Sequence, residues 1–202
     1  NLNLIATVGA EKREYVSIND IPKNITDAVL STEDSRFQSH IGIDPIRLIK
    51  AVLVNIRSNS AQQGASTITQ QVVKNSLLTS DKSLQRKIQE AYLSLKLENR
   101  YSKDDILEMY MNKIYYSDGQ YGIKTAAKYF YNKELNQLTL PQVALLTGMP
   151  QQPILYNPYD YPEQAKERRN TVLYALLNND KITEDEYNNA INTQIGRASC
   201  RE

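Results

Sequence analysis

The sequence predicts a mainly α-helical domain, on three observations. Apolar residues recur at spacings of three and four along most of the chain, the period of a helix with one buried face. Helix-opening residues stand directly ahead of those runs, as at Asp44-Pro45, Ser83, Ser102, Thr139 and Thr183. Only Arg13 to Ile18, with Tyr15, Val16 and Ile18 among polar neighbours, alternates in the manner of a strand.

Taken in order, Ile25, Ala28, Val29 and Leu30 give the first helical pattern, which runs into Glu33-Asp34. Asp44 then supplies an N-cap and Pro45 a first helical position, followed by an apolar stripe of Ile46, Ile49, Val52, Leu53 and Ile56 that carries Arg47, Lys50 and Arg57 with it. A Ser/Thr cap precedes a helix over Thr69 to Leu78. Ser83 opens a long helix to about Asn99, with Leu84, Ile88, Ala91, Tyr92 and Leu95 on one face. Ser102 with Asp105 forms a short-armed capping box for Lys103 to about Tyr115. Thr139 and Pro141 start a helix that Gly148 and Pro150 stop, Pro162 to about Asn178 makes another, and Thr183 with Glu186 caps a last short one.

With 202 residues, 41% hydrophobic and 23% charged, the chain can bury a core without a metal or disulfide staple. Its longest uncharged run, Leu135 to Tyr159, contains Pro141, Pro150 and Pro153 and is excluded as a membrane span. One Cys and one His exclude a zinc site, a disulfide framework and a Cys/His nucleophile pair, and no Walker-type glycine-lysine loop is present for a nucleotide. No cofactor and no protein metal site are expected. Net charge is only +1, yet Ile41 to Lys103 carries ten Lys or Arg against four acids, so this third is expected to face something anionic. Asn1 in place of Met reads as a segment cut from a longer protein. From Ile195 the string IGRASCRE has no structural period and matches a translated sequencing adapter. Residues 1–194 are therefore expected to form the domain and 195–202 a non-native tail.

Three polar, Gly-marked stretches interrupt the helices: Glu33 to Gly42, Gln62 to Gln71 and Ser117 to Gly122. Loops on a rigid scaffold are where sites are built. Glu33-Asp34 at a helix C-terminus meets a negative dipole end, which raises a carboxyl pKa and suits a base; the plainer alternative is a structural pair with Arg36. Gly64 to Gln71 concentrates hydroxyls and amides suited to a sugar or an oxyanion, or equally to capping the next helix. Lys74, Lys82, Arg86 and Lys87 ahead of Glu90 offer a cationic rim for phosphate, or merely a helical ion pair. His40 reads as hydrogen-bonded and structural.

Glu33-Asp34-x-x-Phe37-x-x-His40-x-Gly42, then Gly64-x-Ser66-Thr67-x-Thr69-Gln70-Gln71, then Arg86-Lys87-x-x-Glu90 resemble the first three motifs of the peptidoglycan glycosyltransferase domain of class A penicillin-binding proteins and monofunctional glycosyltransferases. Asn112-x-Ile114-Tyr115-Tyr116 with Gly119, Tyr121-Gly122, Ala126-Ala127 and Tyr129-Phe130 resembles the fourth. Leu145-x-x-Gly148-x-Pro150-x-x-Pro153 with Asn157-Pro158 and Arg169 resembles the fifth. The one departure is Tyr116-Ser117-Asp118, where many members follow the aromatic directly with Gly.

The resemblance implies a lysozyme-like helical fold with a smaller membrane-facing lobe, placed at about 43–78. It implies polymerisation of lipid II with inversion and release of undecaprenyl pyrophosphate, at the extracytoplasmic face of a bacterial membrane. Glu33 would be the general base, and Glu90, the other catalytic residue, would position substrate or support charge near the leaving group. Lys74, Lys82 and Arg86 would neutralise the pyrophosphate near Glu90, while Asp34, Lys50, Gly64, Ser66, Thr67, Gln70 and Gln71 complete the substrate-binding set. Implied partners are lipid II, the growing glycan strand, the membrane surface and a transpeptidase domain in the full-length chain, without nucleic acid; a divalent cation would come only with the pyrophosphate. Two rivals stay open, a lytic lysozyme-like hydrolase and a non-catalytic glycan- or membrane-binding module.

Overall fold

The computed structural model describes residues 14–49, 66–77 and 83–194. Helices α1 (Lys23–Glu33), α2 (described over 45–49), α3 (Ile68–Leu77), α4 (Leu84–Glu98), α5 (Lys103–Lys113), α6 (Ile123–Tyr131), α7 (Leu140–Gly148), α8 (Pro162–Asn178) and α9 (Glu184–Asn192) account for most of it. The hydrophobic centre is α7, whose residues Val143 to Gly148 are all buried and which packs on both α1 and α8. Ile25, Ala28 and Val29 of α1 and Val172, Leu173 and Leu176 of α8 close this core. A second group, α3 against α4 and α5, buries Ile68, Val72 and Val73.

Helix starts follow the capping chemistry of the sequence. Ser102 and Asp105 exchange hydroxyl and carboxylate for each other's backbone N–H, and Thr183 with Glu186 does the same. Thr139 with Gln142 completes a third box. The cap bonds hold Asp105 and Glu186 below the usual carboxylate range, so their contribution is present near neutrality and fades as pH falls through those lowered values. Ser102→Ala is expected to lower stability by about 1 kcal/mol in chemical denaturation, the usual cost of a lost N-cap.

Two expectations are corrected. Among the described residues no strand forms; 14–17 is irregular and Ile18–Asp20 is a 3-10 turn. Side chains stand in for a partner strand there: Asn112 both accepts from the Val16 N–H at 2.9 Å and donates to its carbonyl at 2.8 Å, Thr125 Oγ1 accepts from the Glu14 N–H at 2.8 Å, and Glu108 accepts from the Ile18 N–H at 2.7 Å. On α4 the apolar face points outward, with Leu84 79% and Ile88 63% exposed, while Glu90 and Ser94 are buried. Lys50, Val52, Leu53, Ile56, Gly64, Lys82 and the tail from Ile195 lie outside the described residues.

Candidate active site

Glu33 is the last residue of α1, and its side chain is only 12% exposed. Its two oxygens are gripped from different helices. Arg168 of α8 stands 3.2 Å from Oε1, and Gln71 of α3 donates to Oε2 at 3.1 Å. Arg168 is itself fixed by donation to the Gly148 carbonyl at 2.9 Å and lies over the Tyr156 ring. Arg47 donates to the Glu33 carbonyl, satisfying one of the free carbonyls at the helix end.

Asp34, next in the chain, is buried and braces the junction. Its Oδ2 accepts from the Ile68 N–H at 3.0 Å and from His40 Nε2 at 2.8 Å, and Oδ1 lies 3.6 Å from Arg47. The Gly42 N–H donates to His40 Nδ1 at 3.1 Å, which assigns the ring proton to Nε2. Gly42 sits at φ +99°, where a Cβ would lie 2.8 Å from the Ser94 carbonyl, so only glycine allows this approach to α4. Its carbonyl accepts from the Thr67 hydroxyl at 2.6 Å, and Thr67 with Gln70 caps α3. Asp34 and Thr67 thus shape the site from behind. The expected partner of the acidic pair, Arg36, instead faces Asp44 at 3.2 Å, because the turn after α1 carries it away to α2.

The other acid, Glu90, is 1% exposed on α4 and pairs with Lys87, with Arg86 at 4.0 Å. Lys87 also donates to Ser66 Oγ at 2.9 Å. Ser66 therefore meets the Glu90 cluster and Gln71 meets Glu33, so the segment from 66 to 71 runs from one carboxylate to the other. Lys74, three residues beyond Gln71 on α3, joins it in a cleft of about 520 Å³.

A family model described as transglycosylase matches residues 1–177. The chain belongs to the transglycosylase family. Penicillin-binding protein 1A/1B of Bacillus subtilis is 51% identical over 92% of this chain and 20% of its own length, and penicillin-binding protein 1A of Streptococcus oralis is 48% identical over 96% and 31%. The chain spans between a fifth and a third of these relatives. The crystal structure of penicillin-binding protein 1A from Haemophilus influenzae shares the fold, with a TM-score of 0.58 and 24% identity over 93% of this chain and 18% of that one.

Sequence reasoning missed Arg168 as the cation on Glu33 in this transglycosylase domain. It attended to Arg169, which is buried and donates to the carbonyls of Ile191 and Thr193 to anchor the end of α9. The available signal was spacing: Arg168 lies four residues before buried Val172 and so shares its face. Tyr110 was missed as well, and Tyr116 was read only as part of a motif. Burial, and then the negative charge of Glu33, push both phenols above the ordinary tyrosine value, which keeps them neutral beside the base. Among the described residues no group of three or more His, Cys, Asp or Glu could hold a metal.

Proposed function

We propose that this domain polymerises lipid II. The 4-hydroxyl of an acceptor N-acetylglucosamine gives its proton to Glu33 and attacks the anomeric carbon of the donor N-acetylmuramic acid from the face opposite the leaving group. The carbon–oxygen bond to phosphate breaks as the new one forms, and undecaprenyl pyrophosphate departs with the bonding pair. The single observation that carries this reading is the pair of carboxylates at the two ends of the 66–71 segment, one held ready as a base by Arg168 and Gln71 and the other set among Arg86 and Lys87.

Cations beside Glu90 neutralise the charge that develops on the pyrophosphate, a stabilisation that commonly dominates such chemistry. A divalent cation would ride on the pyrophosphate. No helix among the described residues is long and apolar enough to cross a membrane. Support for a membrane surface comes instead from Ile46, Leu48 and Ile49, all exposed, and from a groove of about 390 Å³ between Leu48 and Pro45 on one side and Leu84 and Ile88 on the other. An extracytoplasmic site and a transpeptidase domain elsewhere in the full-length protein belong to the same proposal.

Turnover of lipid II, followed for polymer against hydrolysed product, tests it. Polymer supports the transferase, released disaccharide would mean the lytic enzyme, and binding without turnover a non-catalytic module. Arg86→Ala should weaken substrate binding and slow turnover by roughly ten- to a hundredfold, the range of a partly desolvated charge-assisted contact. Full activity in Arg86→Glu would remove the cation from the account.

A further inference from the structure

Lys103, the first residue of α5, is a cation that the transfer step does not use. Its Nζ donates to the His40 carbonyl at 2.6 Å and reaches both oxygens of Glu98, Oε1 at 2.8 Å and Oε2 at 2.7 Å. It also lies 4.4 Å from the centre of the Phe37 ring. One ammonium therefore ties the turn after α1 to the last residue of α4 and the first of α5. Neither Glu98 nor Lys103 falls in any of the five sequence motifs, yet both side chains are largely withdrawn from solvent, at 8% and 21% exposure.

Glu98 has two further neighbours. Its Oε1 accepts from the buried Thr69 hydroxyl at 2.6 Å, in the first turn of α3, and stands 4.0 Å from His40 Nδ1. That nitrogen accepts from the Gly42 N–H at 3.1 Å, which it can do only while it carries no proton. A bare carboxylate this close would draw a proton onto Nδ1 and turn it from acceptor into donor. The ring is held between two acids, since Asp34 at the end of α1 accepts from Nε2 at 2.8 Å. Arg47 of α2, 3.6 Å from Asp34, offsets that acid, and Lys103 of α5 offsets Glu98. Phe37 meets the ring edge-on, with centroids 5.9 Å apart. Both ends of this network lie beside the reacting groups: Asp34 follows Glu33, and Thr69 lies two residues before Gln71, which donates to Glu33.

We propose that Lys103 is a positioning residue for the transfer: it offsets Glu98 so that His40 keeps its proton on Nε2 and its acceptor at Nδ1, and through Glu98 and the His40 carbonyl it holds the two segments that bring Gln71 to Glu33. The inference rests on the reading of Glu33 as the base of a lipid II polymerase and specifies what keeps that base in register. Without the ammonium, the Glu98 carboxylate is left facing the imidazole, and a proton on Nδ1 expels the Gly42 N–H from its acceptor. Gly42 also receives the Thr67 hydroxyl on its carbonyl, so the start of α3 shifts with it. A misplacement of about 1 Å far from the chemistry costs up to about a hundredfold in rate, so a cation that touches no substrate still acts on turnover.

His40 is the only histidine of the chain, so nitrogen NMR of the imidazole reads this ring alone. At neutral pH the wild type is expected to show a protonated Nε2 and a bare Nδ1. Lys103→Met should put a proton on Nδ1 in a large share of the molecules and lower kcat at least about tenfold, with KM for lipid II within about threefold. Lys103→Arg should recover the bare Nδ1 and most of the turnover. In Lys103→Met/Glu98→Gln the carboxamide still accepts from Thr69 while the charge facing His40 is gone, so Nδ1 should again be bare. This double variant leaves no uncompensated buried charge, and it gives the reading where the single variant does not fold. A bare Nδ1 in folded Lys103→Met, or a protonated one in the double variant, would overturn the assignment while leaving polymerisation intact. Absence of lipid II turnover by the wild type, with the imidazole signals as expected, would instead overturn the polymerase reading and with it the role in transfer.

Discussion

Glu33→Gln is expected to abolish polymerisation, with a loss in turnover of at least about a hundredfold, while substrate binding stays within about tenfold. The amide retains the volume and can accept through its one oxygen from either Gln71 or Arg168, so the groove between α1, α3 and α8 largely keeps its shape. What disappears is the only step that needs a negative, proton-accepting oxygen there. Arg168→Gln should act in the same direction but less, because it leaves the carboxylate in place and removes only the cation that fixes it. Wild-type-like turnover by Glu33→Gln would end the assignment of the base.

The parts of this fold that were legible in the sequence are those set by local chemistry. Helices α8 and α9 begin at Pro162 and just after Thr183 because a proline or a hydroxyl–carboxylate box acts within four residues and needs no knowledge of the rest of the chain. Helix α6 was not read, and its start explains why: Gly122 at φ +83° precedes it without any side-chain cap, and Asn132 ends it in the left-handed region. The outward turn of α4 is a tertiary decision. Its apolar stripe has the right period, but the opposite face carries Ser94 against Gly42 and Glu90 beside Lys87, so the polar face is the one that assembles the site. Glu33, Glu90, Ser66 and Gln71 were readable as residues. Their connection through Arg168 and Lys87 was not, since each cation lies on a different helix from at least one group it holds.

Asp34→Ala should cost about 3–5 kcal/mol of stability, the usual penalty for removing one member of a buried charged cluster. Two donors lose their acceptor at once, His40 Nε2 and the Ile68 N–H, and Arg47 loses a carboxylate 3.6 Å away. The Ile68 N–H belongs to the first turn of α3, where a carboxylate also meets the positive end of the helix dipole. Asp34→Asn separates these contributions. His40 and Ile68 both donate to the same oxygen, Oδ2, so an asparagine that places its carbonyl there keeps both bonds and loses only the charge toward Arg47 and α3, a loss of about 1 kcal/mol. Because Asp34 follows Glu33 directly, the alanine variant should also loosen the end of α1 and slow turnover, while the asparagine variant should retain most of it. Chemical denaturation of both proteins, with lipid II turnover measured on the same samples, decides the point. Equal and small losses in the two variants would mean that this carboxylate does not hold α1 to α3, and that the shape of the site is set by the surrounding apolar core alone.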